Sequence, residues 1–255
     1  MLRILILVIG LLPVVTALAQ DKVKQQNASE IHQLFIQDQR DRGGDVDDEK
    51  PGSKRVPVTG EQMQANDVAR RKRVHEMMAQ KLLTTGADFH DAAFIFQHGS
   101  EPEDYLLAHV LAMVAVSRGD ANARWIAAAT LDRYLQSMGE AQVFGTQFLT
   151  LGYKEYLKQK KIARDTGHNP CHAGPGEMCP PAVETASAPG AQKPSPDPSD
   201  ASWNKFTQEP YNSELISDSL RAEYCVGPIE QQKKNVEEYN QGKQPSGRAI
   251  PGCGN

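Results

Sequence analysis

The chain has no excess of positive charge. Its 255 residues carry 28 Lys and Arg against 32 Asp and Glu, a formal net charge of −4. Without Arg3 the balance is 27 basic to 32 acidic side chains. A mildly acidic chain has no electrostatic footprint for nucleic acid or an anionic membrane surface, so neither is expected as a partner. Beyond residue 19 no apolar run reaches the roughly 20 residues that a bilayer span requires, and no later membrane span is expected. Several chemistry-bearing motifs are also missing. There is no G-x-S-x-G nucleophile turn and no H-E-x-x-H zinc helix, and Gly43-Gly44 lacks the Lys and the strand-to-helix setting of a phosphate loop. Asp45, Asp47, Asp48 and Glu49 crowd together without the alternating ligands, Gly and terminal Glu of an EF-hand, so they read as a solvated charge run. No cofactor is expected.

What is present begins with an address. Met1 to Arg3 is a short positive start, Leu5 to Val15 is uncharged and apolar, and Ala17 and Ala19 are small residues at the positions a signal peptidase reads. Residues 1–19 are therefore expected to be a cleaved signal peptide, and the protein to be exported to the periplasm or secreted. Gln20 stands directly after the cleavage site, where a lipoprotein would carry Cys, so a lipid anchor is not expected. Export places the four cysteines in an oxidising compartment, where an even count suggests disulfides. Three connectivities are open; the simplest is local, Cys171 with Cys179 and Cys225 with Cys253. His168, Cys171, His172 and Cys179 gather possible zinc ligands, but at no established finger spacing, so no metal is expected.

The rest divides into a polar linker at 20–28, a helical domain at 29–240 with a Pro-rich insertion at about 165–205, and a tail at 241–255. Ile31, Phe35, Asp38 and Arg42 share one face of a first helix, with Asp38 and Arg42 spaced for an ion pair. Thr59 opens a second helix that runs to about Leu83. Phe89, Ala92, Ala93 and Phe96 form the stripe of a third, ended by Gly99 in the left-handed conformation. Ser100 is expected to cap a fourth, apolar from Tyr105 to Val116 except for His109, and therefore buried all round. Asp120 begins a fifth, whose inner face is read as Trp125, Ala128, Ala129, Asp132 and Leu135. A short helix at Tyr153 to Arg164 and two at Glu214 to Val226 and Pro228 to Tyr239 complete the pattern. The fold class is all-α, a set of antiparallel helical hairpins vaguely of tetratricopeptide or Sel1-like texture, without a clean repeat period.

Polar residues set among these apolar faces carry the functional interest: Asp38, Gln39 and Arg42; Gln97 and His98; His109; Asp132 and Arg133; and Gln147. An unpaired buried polar group costs about 1–3 kcal/mol, so these must pair with one another, with water or with a ligand. Two readings stay open, a satisfied network that fixes helix register and a cleft. In the second, Gln39, Arg42, Gln97, His109, Arg133 and Gln147 would bind, and His98 beside Asp38 or Asp132 could act as general acid or base.

The segments DQRDR (Asp38 to Arg42), AAFIFQHG (Ala92 to Gly99), LDRYL (Leu131 to Leu135), FGTQF (Phe144 to Phe148) and SDSLRAEYCVGPIEQQ (Ser217 to Gln232) resemble a bacterial family known as domain of unknown function number 6624. Asp218 and Arg221 fit its closing segment, while Val226-Gly227-Pro228 carries an extra Gly. The resemblance covers about residues 29 to 240 and implies a shared helical fold and polar site, with no activity attached. The expectation is an exported binding or interaction module for a protein or a small polar ligand. The alternative is a hydrolase-like enzyme built on a His and carboxylate pair.

Overall fold

The structure is a computed structural model and describes residues 30–43, 58–166, 201–245 and Cys253. The expected signal peptide, the linker, the acidic run, most of the Pro-rich insertion and the proposed Cys171–Cys179 pair lie outside the described residues. Helices dominate, as expected for an all-α fold. In order they are α1 (30–41), α2 (Gly60–Ala79), α3 (Gly86–Phe96), α4 (Pro102–Ser117), α5 (Ala123–Ser137), α6 (Leu151–Thr166), α7 (Asp218–Glu223) and α8 (Ile229–Asn240). A two-stranded antiparallel sheet joins β1 (Leu149–Thr150) to β2 (Phe206–Thr207), with Leu149 opposite Thr207 and Thr150 opposite Phe206.

The helix starts follow from side chains that satisfy first-turn amides. The Thr59 hydroxyl accepts from Gln62 N at the head of α2. Thr85 and Asp88 form a reciprocal capping box at the head of α3. At α4 the cap is Glu101 rather than the expected Ser100. The Asp104 carboxylate accepts from Ser100 N and Glu101 N, which fixes the entry of the chain with Pro102 in the first turn. Gly99 does not take the expected left-handed conformation; a Cβ there would collide with the Asp104 side chain. Gly119 and Gly139 do adopt positive φ, 89° and 78°, at the ends of α4 and α5. Helix α2 stops at Ala79, short of Leu83. Lys81 turns at φ 57°, Leu82 N bonds back to Met77 O, and Leu83 is delivered to the core.

Short turns make α3, α4 and α5 antiparallel neighbours. Their Ala positions, 92, 93, 108, 112, 115, 123 and 127, are fully buried and let the axes approach around Phe96, Leu111 and Ile126. Helix α4 is not buried all round: Leu106, Val110 and Met113 form an exposed stripe, because α3 and α5 cover only its other sides. Trp125 is likewise on the outside of α5. Ala128, Ala129 and Asp132 of the expected face are buried, together with Ala123, Ile126, Ala127, Thr130, Gln136 and Ser137, while Leu135 is half-buried and the Trp ring stacks over Phe94 at the edge of the core. Among the described residues no helix is long and apolar enough to cross a membrane.

The C-terminal segment packs on the loop that follows α5. Asn212 N and Pro210 O bracket Gln142 through backbone bonds. Arg221, fully buried, donates to Ile216 O at 2.7 Å, Ser213 O at 2.6 Å, Tyr211 Oη at 3.1 Å and Asp218 Oδ1 at 3.1 Å, and so holds the chain around α7. Cys225 is disulfide-bonded to Cys253, the expected pairing for those two.

Candidate functional site

Helix α1 delivers Asp38 to a buried point between α2 and the end of α3. Its carboxylate accepts from Gln39 Nε2 at 2.9 Å, Arg42 Nη1 at 2.9 Å and His98 Nδ1 at 2.9 Å. Arg42 also donates to Asp67 at 2.6 Å. Arg70 then links Asp67 to Asp41, each at 2.7 Å. The DQRDR run thus clamps α1 to α2 through alternating charges, and both charges of each pair are held by more than one partner, as burial requires. Arg70 is itself buried within this network.

A second cluster shapes the loop between α5 and β1. Asp132 accepts from Val143 N at 2.7 Å, Phe144 N at 2.9 Å, Thr146 N at 2.9 Å and Thr146 Oγ1 at 2.8 Å. Burial pushes its carboxyl up from the ordinary value, against the pull of the Phe144 and Thr146 donors. Four buried glutamines complete the frame. Gln142 donates to Gln147 O and Gln208 O and accepts from Gln147 N. Gln208 donates to Gly145 O, and Gln232 to Phe144 O and Gly227 O. An irregular buried loop has no helix or sheet partners for its peptide groups, and primary amides, with both donors and acceptors, satisfy them. Gly145 is required at its centre: φ is 78°, and a Cβ would run into Gln232 and Tyr211.

Between these two clusters lies an open cavity of about 570 Å³. Arg42, Gln97, His98 and Gly99 form one wall, Tyr105 another, and Arg133, Gln136 and Ser137 of α5 the back. Residues 147–150, Tyr153 and Leu157 of α6, and Phe206 of β2 close the rest. Arg133 donates to Gln97 O at 2.7 Å and Gln147 Oε1 at 3.1 Å. Burial lowers the Arg133 pKa, and the nearby Arg42 adds to the effect; a guanidinium nevertheless stays charged. Gln136 is 4% exposed, and its Nε2 has no hydrogen-bond partner. Burial also lowers the His98 pKa, with Asp38 opposing and Arg42 and Arg133 assisting. The carboxylate of Asp38 only accepts, so the neutral imidazole carries its proton on Nδ1 and leaves Nε2 as an acceptor. Tyr105 donates to Gly99 O at 2.9 Å, and burial raises the pKa of both Tyr105 and Tyr153, so the two remain phenols.

The sequence-derived candidates therefore separate. Arg42, Gln97, His98, Arg133 and Gln147 meet at the cavity, with Asp38 and Gln39 directly behind. Asp132 does not join them; its oxygens face the 143–146 amides, so the pairing of His98 with Asp132 has no geometric basis. His109 stands apart as well, donating from Nδ1 to Ala127 O at 2.9 Å and tying α4 to α5. Gln136, Tyr105, Tyr153 and Phe206 were not singled out from the sequence. Gln136 was the findable one, since it lies three residues from Arg133 and hence on the same helical face. No metal-binding group of His, Cys, Asp and Glu occurs among the described residues. In comparisons with protein families, curated proteins and solved structures, nothing matches the chain.

Proposed function

We propose that this protein is an exported binding module that takes a small molecule in the cavity between α3, α5 and α6. The observation that carries this reading is the cavity itself. The ends of α1 and α3, helices α4, α5 and α6, and the 147–150 segment bring polar groups to one open space of about 570 Å³, within the size range of small-molecule sites. Export rests on the N-terminal sequence, with the Cys225–Cys253 disulfide as supporting context. Membership of family 6624 is part of the same proposal and rests on the quoted motifs.

Saturation-transfer NMR with a mixture of small carboxylic acids, amines, amides and sugars tests the reading. At least one class is expected to receive saturation from the wild-type protein and to lose it in Leu157→Trp, which fills the cavity from α6. If no class does, the cavity is only a packing gap and the reading fails.

A second reading, hydrolysis, is favoured by one feature: Asp38 holds His98 Nδ1 at 2.9 Å while the ring borders the cavity. In this reading Nε2 takes a proton from an attacking water. Hydrolysis of p-nitrophenyl acetate above the buffer rate, abolished in His98→Gln, would establish it. A rate equal to buffer leaves binding as the function.

A further inference from the structure

The geometry points to a carboxylate carried on an apolar body as the ligand of this cavity, its oxygens received by Arg133 and Gln136. This inference rests on the binding reading above. Among the described residues no Asp or Glu lines the cavity, although two arginines do. Their situations differ. Arg42 is neutralised by Asp38 and Asp67, at 2.9 and 2.6 Å. Arg133 bonds only to neutral acceptors, the Gln97 carbonyl and the Gln147 amide, and no carboxylate among the described residues pairs with it. Among the described residues of the site its charge is the one without a counter-charge, and because Arg133 is only half-buried at the cavity wall an anion entering there gains an ion pair partly shielded from water.

Gln136 supplies the second, independent sign. Its side chain is 4% exposed and lines the cavity one helical turn after Arg133, yet Nε2 finds no acceptor. A buried amide donor beside an unpaired guanidinium is matched by a group with two acceptor oxygens. Arg133 offers one unpaired positive charge, and Asp38, Asp41 and Asp67 already outnumber Arg42 and Arg70 behind the cavity, so a monoanion such as a carboxylate suits the site better than a phosphate dianion. Phe148, Leu149, Leu157 and Phe206 border the same space and suit an apolar or aromatic remainder.

The test is isothermal titration of the full chain with phenylacetate, phenylacetamide, phenethylamine and phenyl phosphate, which share a ring and differ in head group. Phenylacetate is expected to bind about tenfold more tightly than phenylacetamide, the ratio that separates a charge-assisted from a neutral hydrogen bond. Gln136→Glu places a carboxylate beside Arg133 from within the chain. It is expected to erase the preference for phenylacetate while the unfolding midpoint stays at or above wild type, which separates loss of the site from loss of the fold. A fall in that midpoint together with retained preference would mean that Arg133 is not in need of an anion, and would overturn the inference. Equal or tighter binding of phenylacetamide or phenethylamine overturns the carboxylate while leaving the binding module intact. Tighter binding of phenyl phosphate overturns it in favour of a phosphate ligand. Binding of none of the four overturns the carboxylate inference, while the binding module itself stands or falls on the saturation-transfer experiment.

Discussion

Asp132→Ala removes four hydrogen bonds at once, and its effect can be worked from the geometry. The lost contacts are to three main-chain amides, of Val143, Phe144 and Thr146, and to the Thr146 hydroxyl, at 2.7 to 2.9 Å. A fully buried donor left without an acceptor costs about 1–3 kcal/mol. Phe144 is buried and should show this in full, whereas Val143 and Thr146 are partly exposed and recover some water contacts. The hydroxyl can turn to another acceptor. A loss of about 3–5 kcal/mol follows, a large part of the 5–15 kcal/mol typical of a whole domain. Asp132→Asn keeps one acceptor oxygen but turns an amide towards another donor, and should lose about 1–3 kcal/mol. Urea unfolding at neutral pH under non-reducing conditions, followed by far-ultraviolet circular dichroism, provides the free energies. A loss under about 1 kcal/mol in the Ala variant would refute the reasoning, because the loop would then not depend on the carboxylate. If Asp132→Asn left stability intact and removed ligand binding or hydrolysis, Asp132 would belong to the site after all.

Two further predictions concern the ends of the network. Burial holds the folded-state pKa of His98 below its ordinary value, while the unfolded imidazole titrates near ~6.5. Between those values the unfolded chain binds more protons. The His98 contribution to stability is therefore complete above ~6.5 and is lost as pH falls through the folded pKa; unfolding curves measured down that range should show a slope that His98→Gln reduces. Reducing the Cys225–Cys253 bond, which closes a separation of 28 residues, should lower stability by about 3–4 kcal/mol by loop entropy. A double Cys→Ser variant with an unchanged unfolding midpoint would show that the bridge does not constrain the unfolded chain.

The helices were legible where local chemistry sets them. Thr59 and Pro102 mark starts, and Gly119 and Gly139 mark ends, through contacts within a few residues; Thr85 reads from the sequence as the close of the second helix, but it caps the third with Asp88. The Asp38–Arg42 pair was legible for the same reason. What periodicity could not settle was how many neighbours each face would have. The exposed Leu106, Val110 and Met113 stripe and the outward Trp125 depend on the placement of α3 and α5, which no local pattern encodes. The glutamine frame was illegible for a related reason. Gln142, Gln208 and Gln232 pair with peptide groups up to 88 residues away, and an amide side chain has no spacing that announces a distant partner. Asp132 shows the limit most clearly: its position on an apolar face marked it as buried and satisfied, but only the structure tells whether the partner is a loop or a ligand.

The most direct test of the central claim, that Arg133 and Gln136 receive a ligand, is the response of their own side-chain N–H resonances to added phenylacetate in nitrogen-edited NMR. The account predicts that the Arg133 Nε and Gln136 Nε2 signals shift saturably and together, ahead of signals from Arg70 or Arg221 in the closed networks. Saturable shifts elsewhere, with Arg133 and Gln136 unmoved, would contradict it.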